Sequence, residues 1–205
     1  MSKQTKRGRP RQFDEDQTLD QIMQVFWRHG FAATSLDQIS EATGLNRPSL
    51  YAAFGSKKDM YLKIISRFAD QMHTYLAAAG RTPSGAHARL KAVMAAAIDL
   101  YTGHSPLSHA AYGCLAVSTL PSETVDDSDF QMALSAVLRR MDDGFAELIR
   151  HEASGRLDED EIAVAARHLS LLLHGLSIRA RAGEPSELLK TLAASAVDRL
   201  VPPIS

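Results

Sequence analysis

A short segment near the N-terminus carries side chains that could contact the edges of DNA base pairs. Arg47 can donate two parallel hydrogen bonds to guanine, and the hydroxyls of Ser49 and Tyr51 can bind a phosphate or a base. Pro48 and Ala52 offer small apolar surfaces of the kind that contact the methyl group of thymine. Together these residue types favour contact with the major groove of DNA.

Capping and turn residues predict that this segment is a short helix preceded by another short helix. Ser35 begins a capping box and Gly44 ends the helix that follows, while Asn46 and Gly55 bound the second helix. Two short helices joined by a tight glycine turn are typical of a helix-turn-helix unit, here at about residues 35–54. The second helix of such a unit lies in the major groove and needs to be only as long as the groove face it reads. A three-helix corner that binds no nucleic acid is the alternative.

Three residues beside this unit are expected to contact DNA phosphates. Thr34 comes directly before the first helix of the unit, and Lys57 and Lys58 begin the helix that follows it. Ser56 with Asp59 three residues later is the capping signature that starts this fourth helix. Side chains at such positions flank the groove and fix the register of a protein on the duplex.

A basic arm precedes the first predicted helix. The first thirteen residues carry five positive charges and no acidic residue. Arg7, Arg9 and Arg11 form an R-G-R-P-R pattern, which is typical of extended arms that lie in narrow A·T-rich minor grooves. A solvated tail is the alternative, but its place immediately before a helix-turn-helix unit favours DNA.

The remainder of the chain shows helical periodicity almost throughout. Asp14 or Asp16 can cap the first helix, Gly30 can end it, and the stretch Ala77 to Ala86 is predicted to break the fourth helix. Further helices are predicted at 86–102, 129–154, 158–182 and 185–200, with a less regular segment at 103–128. The predicted fold class is all-α, with an N-terminal three-helix DNA-binding domain followed by a C-terminal helical domain.

Residues 9–62 resemble the DNA-binding domain of the TetR family of bacterial transcriptional repressors. The match rests on the segments RGRPRQFD, GFAATSLDQISEATGLNRPSLYAAF and SKKDMYLKII. The resemblance implies a flexible arm at 1–12, a DNA-binding domain at 13–62, and a ligand-binding and dimerisation domain at 63–205. It implies a homodimer that binds a palindromic double-stranded DNA operator and releases it when a small-molecule inducer binds. It places the DNA contacts on Thr34, Arg47, Pro48, Ser49, Tyr51 and Lys57 or Lys58.

The last two predicted helices are expected to form the homodimer interface. The segments 158–182 and 185–200 have wide apolar stripes that are rich in small residues, as expected of helices that face both their own core and a partner. The closing segment also resembles one large subgroup of the family, in which these helices pair between subunits. A monomeric core is the alternative, but a palindromic site needs a two-fold protein.

Residues of the middle helices are candidates for an inducer pocket that binds a small, mainly apolar molecule. Helical stripes of this kind also form plain core, which is the alternative for all of them. The candidates are Met72, Met94, Tyr101, Tyr112, Met132 and His168.

Cys114 is the single cysteine, so an intramolecular disulfide cannot form. An exposed and stabilised thiolate would make it a redox or electrophile sensor, and His104 and His109 are close in sequence. Apolar residues follow it directly, which favours a buried, inert thiol instead. A repressor that senses thiol-reactive compounds is therefore the alternative to one released by a ligand.

Other classes of protein lack their sequence signals here. A glycine-rich phosphate loop, a serine nucleophile elbow and metal-ligand spacing are all missing, so we expect neither an enzyme nor a bound metal or cofactor. No apolar run approaches the ~18 residues that span a bilayer, so a cytoplasmic protein without a membrane partner is expected. An architectural DNA-binding factor built on the same fold remains a further alternative.

Overall fold

The computed structural model describes residues 13–81, 85–153 and 157–201, which form α-helices joined by turns and one 3₁₀ turn at Pro121–Glu123, without a strand. The predicted arm, with Arg7, Arg9 and Arg11, lies outside the described residues. The helices are α1 (Glu15–Ala33), α2 (Leu36–Thr43), α3 (Arg47–Phe54), α4 (Lys57–Ala79), α5 (Ala86–Tyr101), α6 (Leu115–Thr119), α7 (Ser128–Ala153), α8 (Glu159–Arg181) and α9 (Ser186–Leu200).

The predicted helix starts are confirmed by the capping hydrogen bonds. Ser35 and Ser56 each form a complete capping box, and Asn46 accepts a hydrogen bond from the backbone amide of Ser49. Gly44 ends α2 with φ 68°, a left-handed conformation that glycine adopts without strain. Gly30 is likewise non-helical, with φ 77°, and it separates the last turn of α1 from the rest of that helix.

The segment 103–128 is more ordered than predicted, because it contains α6 and the 3₁₀ turn. Gly113 precedes α6 with φ 69°, and a Cβ atom there would lie 2.6 Å from the carbonyl oxygen of Ser177. The indole Nε1 of Trp27 donates a hydrogen bond to the Gly113 oxygen at 3.1 Å. This close approach joins α1, α6 and α8, and only a residue without a side chain fits at Gly113.

One apolar core extends from α1–α3, which form the predicted DNA-reading unit, into the C-terminal part of the chain. At the boundary between them, Phe31 and Tyr61 pack against Phe130 with ring centroids 4.9 and 5.6 Å away. Phe130 belongs to α7, so the first helices share aromatic packing with the C-terminal part. The division into domains at residues 62 and 63 stays a prediction, and the packing continues across it.

Helices α4 and α7 run side by side in the same direction. Lys58 near the start of α4 pairs with Asp129 near the start of α7, at 2.6 Å. Asp70 farther along α4 pairs with Arg140 farther along α7, also at 2.6 Å. Both helices therefore begin near the DNA-reading unit and end at the opposite end of the C-terminal part.

Candidate DNA-binding interface and effector cavity

Helix α3 buries one face and leaves the other open to solvent. Leu50 and Phe54 lie in the core, whereas Arg47, Pro48 and Tyr51 are exposed. Tyr51 is 49% exposed, so its ring and hydroxyl are open to contact on this face. The exposed face therefore presents the residues that the sequence assigns to DNA.

Ser49 is only half-buried, and its backbone amide is used in capping, where it donates to Asn46 Oδ1 at 2.9 Å. Asn46 fixes the start of α3, so it sets the direction in which Arg47 leaves the backbone.

Arg47 is held by an acidic partner on α2. Its Nε donates to Asp37 Oδ1 at 3.0 Å, and its Nη2 donates to both carboxylate oxygens at 2.7 Å. This hydrogen-bonded carboxylate raises the pKa of the guanidinium. Sequence reasoning did not include Asp37, although an acid in the first turn of α2 is a signal that could have been noticed.

Thr34 corrects one of the predicted DNA contacts. Its side chain is buried, and its hydroxyl donates to the carbonyl oxygen of Gly30 at 2.6 Å. The hydroxyl therefore supplies a hydrogen bond to the Gly30 carbonyl oxygen, which the kink leaves without a helical donor. Because the side chain is buried, a phosphate cannot reach the hydroxyl in this structure. The burial of this hydroxyl therefore argues against the predicted phosphate contact by the Thr34 side chain.

Lys57 also has an internal role that the sequence did not reveal. Its Nζ donates to the carbonyl oxygens of Phe31 and Thr34, both at 3.0 Å, and lies 4.4 Å from the centre of the Phe31 ring. The ammonium group therefore caps the end of α1 from the first turn of α4. In the DNA-free chain Lys57 therefore has a structural role, and its predicted contact with a phosphate stays a prediction.

Lys58 is occupied as well, by the segment that starts α7. Its Nζ lies 2.8 Å from Asp127, 2.6 Å from Asp129 and 5.3 Å from the centre of the Phe130 ring. This pairing raises the pKa of Lys58 and lowers the pKa of Asp127. A phosphate contact by Lys58 would require DNA to displace two carboxylates.

A cavity of about 440 Å³ lies between α4, α5 and α7, with α8 contributing to its base. Its volume is in the range of small-molecule sites, roughly 300–1,000 Å³. Its apolar wall is formed by Phe68, Met72, Leu76, Val93, Val137, Met141, Phe145, Leu148 and Leu173.

Five of the six predicted pocket residues do not line this cavity, and Met72 is the exception. Met94 and Tyr101 are fully buried in the core, and Met132 is 61% exposed on α7. Tyr112 packs beside Trp27 and Arg181, and His168 is exposed on α8. Helical stripes locate the buried faces, but they do not show which buried face encloses an empty volume.

Cys114 is completely buried at the start of α6. Burial raises the pKa of the thiol to about 11, although hydrogen bonds from the backbone at Val117 and Ala116 oppose this. The thiolate required by a redox sensor is therefore disfavoured and shielded from solvent. The structure supports the interpretation of Cys114 as a structural thiol.

The last two helices leave large apolar side chains in solvent. Val164, Leu171 and Ile178 are each more than half exposed, and they repeat every seven residues along one face of α8. Leu188 and Leu192 extend this surface onto α9. An exposed apolar surface over two helices is typical of an interface with another protein.

Within the described ranges, none of the helices is both long and apolar enough to cross a bilayer. Across the same residues, no group of three or more His, Cys, Asp or Glu side chains is placed to hold a metal ion.

Over its described residues the chain is helical, with a helix-turn-helix unit whose second helix is exposed and a separate cavity that opens to solvent. This is the architecture of a transcriptional regulator. Residues 19–64 match the family described as "Bacterial regulatory proteins, tetR family". The chain belongs to the TetR family, and it is a transcriptional regulator of that family.

Three relatives show how far the similarity extends. A cysteine mutant of the TetR family transcriptional regulator CifR, solved with a 26-bp double-strand operator DNA, is 30% identical, with 95% of this chain and all of that chain covered and a TM-score of 0.82. The transcriptional repressor ComR of Escherichia coli K12 is 29% identical over 91% of this chain and 89% of its own length. SCO4454 of Streptomyces coelicolor is 20% identical over 91% of this chain and 93% of its own, with a TM-score of 0.76, which supports the fold alone.

Proposed function

We propose that this regulator is a repressor that binds a palindromic operator as a homodimer and leaves it when a small, mainly apolar molecule enters the cavity. The observation that carries the proposal is the exposed face of α3, where Arg47, Pro48 and Tyr51 point to solvent on a helix with a buried opposite face. Such a regulator works in the cytoplasm, where it has access to DNA.

The dimer is supported by the apolar surface of α8 and α9. Leu171 lies in the middle of this surface, with 60% of its side chain exposed. Pairing of α8 and α9 with the same helices of a second copy would bury these side chains about a two-fold axis. A two-fold protein matches an operator with two related half-sites.

The position of the cavity supports release by a ligand. The cavity is lined by α4 and α7, and the starts of these two helices lie against the DNA-reading unit. A ligand that separates their distal halves would turn their starts, and with them the two α3 helices of a dimer. The affinity of a dimer for two half-sites at a fixed distance would fall if the two α3 helices turned in this way.

Selection of binding sites from random DNA, followed by footprinting, tests the proposal. We expect two half-sites on one face of the duplex, ~34–36 Å or a multiple of that distance apart. L171E should abolish the dimer and the two-site footprint, whereas V125E, at a site 82% exposed in the turn before α7, should leave both unchanged. A single asymmetric half-site bound by a monomer would contradict the proposal.

The thiol-sensing alternative is less well supported, because Cys114 is buried and its pKa is raised. An architectural factor of the same fold would have no use for a cavity between α4 and α7. The cavity therefore favours a regulator that responds to a ligand.

A further inference from the structure

We propose that Arg181, the last residue of α8, is a positioning residue that fixes the orientation of the DNA-reading unit relative to the proposed dimer interface. This inference rests on the proposed function, since it concerns how a dimer presents its two α3 helices to two half-sites. It is carried by the hydrogen bonds that join the end of α8 to α1.

The guanidinium group of Arg181 donates to the main chain of two separate segments. Its Nη1 donates to the carbonyl oxygens of Tyr112 at 2.9 Å and of Trp27 at 3.3 Å. Its Nη2 donates to the carbonyl oxygen of Arg28 at 3.3 Å. One side chain of α8 therefore contacts both α1 and the segment that precedes α6.

The two carbonyl groups in α1 lie where the regular part of that helix ends. Gly30 is non-helical, so Trp27 and Arg28 belong to the last turn before the kink. The last carbonyl groups of a helix have no donor within the helix, and a cation beside them also interacts favourably with the helix dipole. Arg181 therefore caps this part of α1 from a helix that is distant in the sequence.

Ser177 strengthens this junction from the same side of α8. It lies four residues before Arg181, and its Oγ accepts a hydrogen bond from the backbone amide of Cys114 at 2.7 Å. The carbonyl oxygen of the neighbouring Gly113 accepts the hydrogen bond from the indole of Trp27. The junction therefore binds α1, α8 and the segment before α6 to one another.

The same turns of α8 carry part of the proposed dimer interface. Ile178, which is 60% exposed, follows Ser177 directly, and Leu171 lies seven residues earlier on the same apolar face. Helix α1 packs on α2, the first helix of the helix-turn-helix unit. Because the interface and the junction share one stretch of helix, Arg181 sets the position of α1 relative to the two-fold axis of a dimer.

The geometry of the junction requires an arginine. A guanidinium group carries its donors on separate nitrogen atoms in one plane, so it reaches oxygen atoms on two segments at once. The ammonium group of a lysine carries all its donors on one nitrogen and cannot bridge the same three oxygen atoms. R181K therefore keeps the charge and loses the junction, whereas R181Q loses both.

Operators with altered spacing test the inference on the full-length protein. Insertion of one base pair moves the half-sites about 3.4 Å farther apart and rotates them by about one-tenth of a helical turn. The unmodified dimer should bind this operator more weakly than the selected one. In R181Q and R181K, the ratio of the two affinities should fall by about 2- to 30-fold, the range for residues that couple distant sites. Affinity for a single half-site should stay unchanged.

R179Q is the matched control, because Arg179 is an exposed arginine of the same turn that pairs with Glu184. It removes the same charge near the end of α8 and should keep the full preference for the selected spacing. An equal loss of affinity for both operators and the half-site in R181Q would show a folding defect and overturn the positioning role. A full preference in R181K would show that the charge alone is needed, which would also overturn it.

The distance between the two α3 helices gives a second measurement that needs no DNA. A spin label at A52C, an exposed position on α3, reports this distance by electron double resonance, and the native Cys114 is buried. The distribution of distances should be broader with R181Q than without it, and R179Q should leave it unchanged. Equal widths with and without R181Q would contradict the inference.

The unmodified chain separates failure of the inference from failure of the proposed function. If it sediments as a monomer, or binds both spacings equally well, the proposed function and the inference both fail. If it is a dimer that prefers one spacing and R181Q keeps that preference, the inference alone fails.

Discussion

Arg47 and Asp37 form a bidentate ion pair across the turn that joins α2 and α3. The two side chains are 55% and 75% exposed, and their shortest contact is 2.7 Å. An ion pair so open to water contributes little to stability, so it exchanges readily for another partner. In the DNA-free chain, the side chain predicted to read bases is thus held by an exposed carboxylate that guanine or a phosphate could replace.

Removing the negative charge of Asp37 should strengthen DNA binding. In D37N, Arg47 no longer has to leave a carboxylate and the surface loses a charge that repels phosphates, so operator affinity should rise. R47Q should lose about 1–3 kcal/mol of specific binding, the range of a bidentate contact with guanine. Titration of operator and random DNA by fluorescence anisotropy measures both effects.

E41Q is the matched control, because Glu41 is an exposed acid on the same helix, α2. It removes the same charge without changing the bond to Arg47. If E41Q and D37N strengthened binding equally, the effect would be one of net charge, and the exchange of partners by Arg47 would be refuted.

Lys57 should behave as a structural residue. K57M leaves the carbonyl oxygens of Phe31 and Thr34 without their shared donor, so the free energy of unfolding should fall by about 1–3 kcal/mol. K63M is the control, since Lys63 makes a long, exposed contact of 3.5 Å with Glu15 and lies 5.5 Å from the centre of the Phe54 ring. A decrease below about 1 kcal/mol is expected there. Urea denaturation measures both values.

The salt dependence of DNA binding distinguishes this role from a phosphate contact. If Lys57 acts only through the fold, K57M should leave the slope of log affinity against log salt unchanged. A slope reduced by ~0.9 would show that Lys57 also neutralises a phosphate, as expected from the sequence.

The basic arm should contribute mainly electrostatic affinity. Deletion of residues 1–11 removes Arg7, Arg9 and Arg11, which lie outside the described residues. The slope of log affinity against log salt should then flatten by ~0.9 for each phosphate that the arm neutralises in the complete chain. An unchanged slope would identify the arm as a solvated tail.

Much of the fold could be predicted because its signals are local. Capping at Ser35, Asn46 and Ser56 uses hydrogen bonds between neighbouring residues, so residue types at fixed spacing were sufficient. Helix α6 was missed because it is one short turn held by distant contacts, such as the bond from Trp27 to Gly113. Such contacts leave no periodic pattern in the sequence.

The candidate site was predictable only in part, for a similar reason. The exposed face of α3 follows from one helix, and Arg47, Pro48 and Tyr51, which the sequence assigns to DNA, lie on it. Their contacts with DNA stay a prediction. The bonds of Lys57 to Phe31 and Thr34 join residues far apart in the chain, and no spacing rule indicates them. The cavity lies where four helices leave a gap, and no local pattern in the sequence indicates such a gap. Met72 is therefore the one predicted pocket residue that lines it.

Cys114 gives a prediction about pH. Its pKa in the folded chain, about 11, lies above the ordinary value of 9.0, so folding favours the neutral thiol. The neutral Cys114 thiol therefore adds to the free energy of unfolding below pH 9. This contribution is lost as the pH rises towards 11, because in the unfolded chain the thiol releases its proton at a lower pH than in the folded chain. The difference between the two pKa values corresponds to about 3 kcal/mol at most.

The variant C114A isolates this effect from other groups that titrate in the same range. The difference in free energy of unfolding between the unmodified chain and C114A should shrink, or turn in favour of C114A, between pH 9 and 11. Operator binding by C114A at neutral pH should be unchanged. A loss of DNA binding on alkylation of native Cys114, in folded protein, would instead support the thiol sensor.

The start of α7 should couple the cavity to the DNA-reading unit. Asp127 accepts hydrogen bonds from the amides of Asp129 and Phe130, so the same carboxylate that holds Lys58 also begins α7. Phe130 then packs against Tyr61 of α4. A ligand that moves α7 should therefore act on the first turn of α4 through the cluster of Lys58, Asp127 and Phe130.

The double variant D127N/D129N tests this coupling with little damage to the helix. Asparagine caps a helix about as well as aspartate, so the start of α7 should persist while the ion pairs with Lys58 are removed. In the unmodified chain, we expect the ligand to weaken operator binding by ~1–3 kcal/mol. In the double variant, the ratio of operator affinities without and with ligand should fall towards one. D126N, which alters a neighbouring exposed acid, should keep the full ratio.

By linkage, operator DNA must weaken ligand binding by the same factor in each variant, so calorimetry with and without operator gives an independent measure. Full coupling in D127N/D129N would show that the signal reaches α3 by another route, such as the aromatic packing of Phe130 alone.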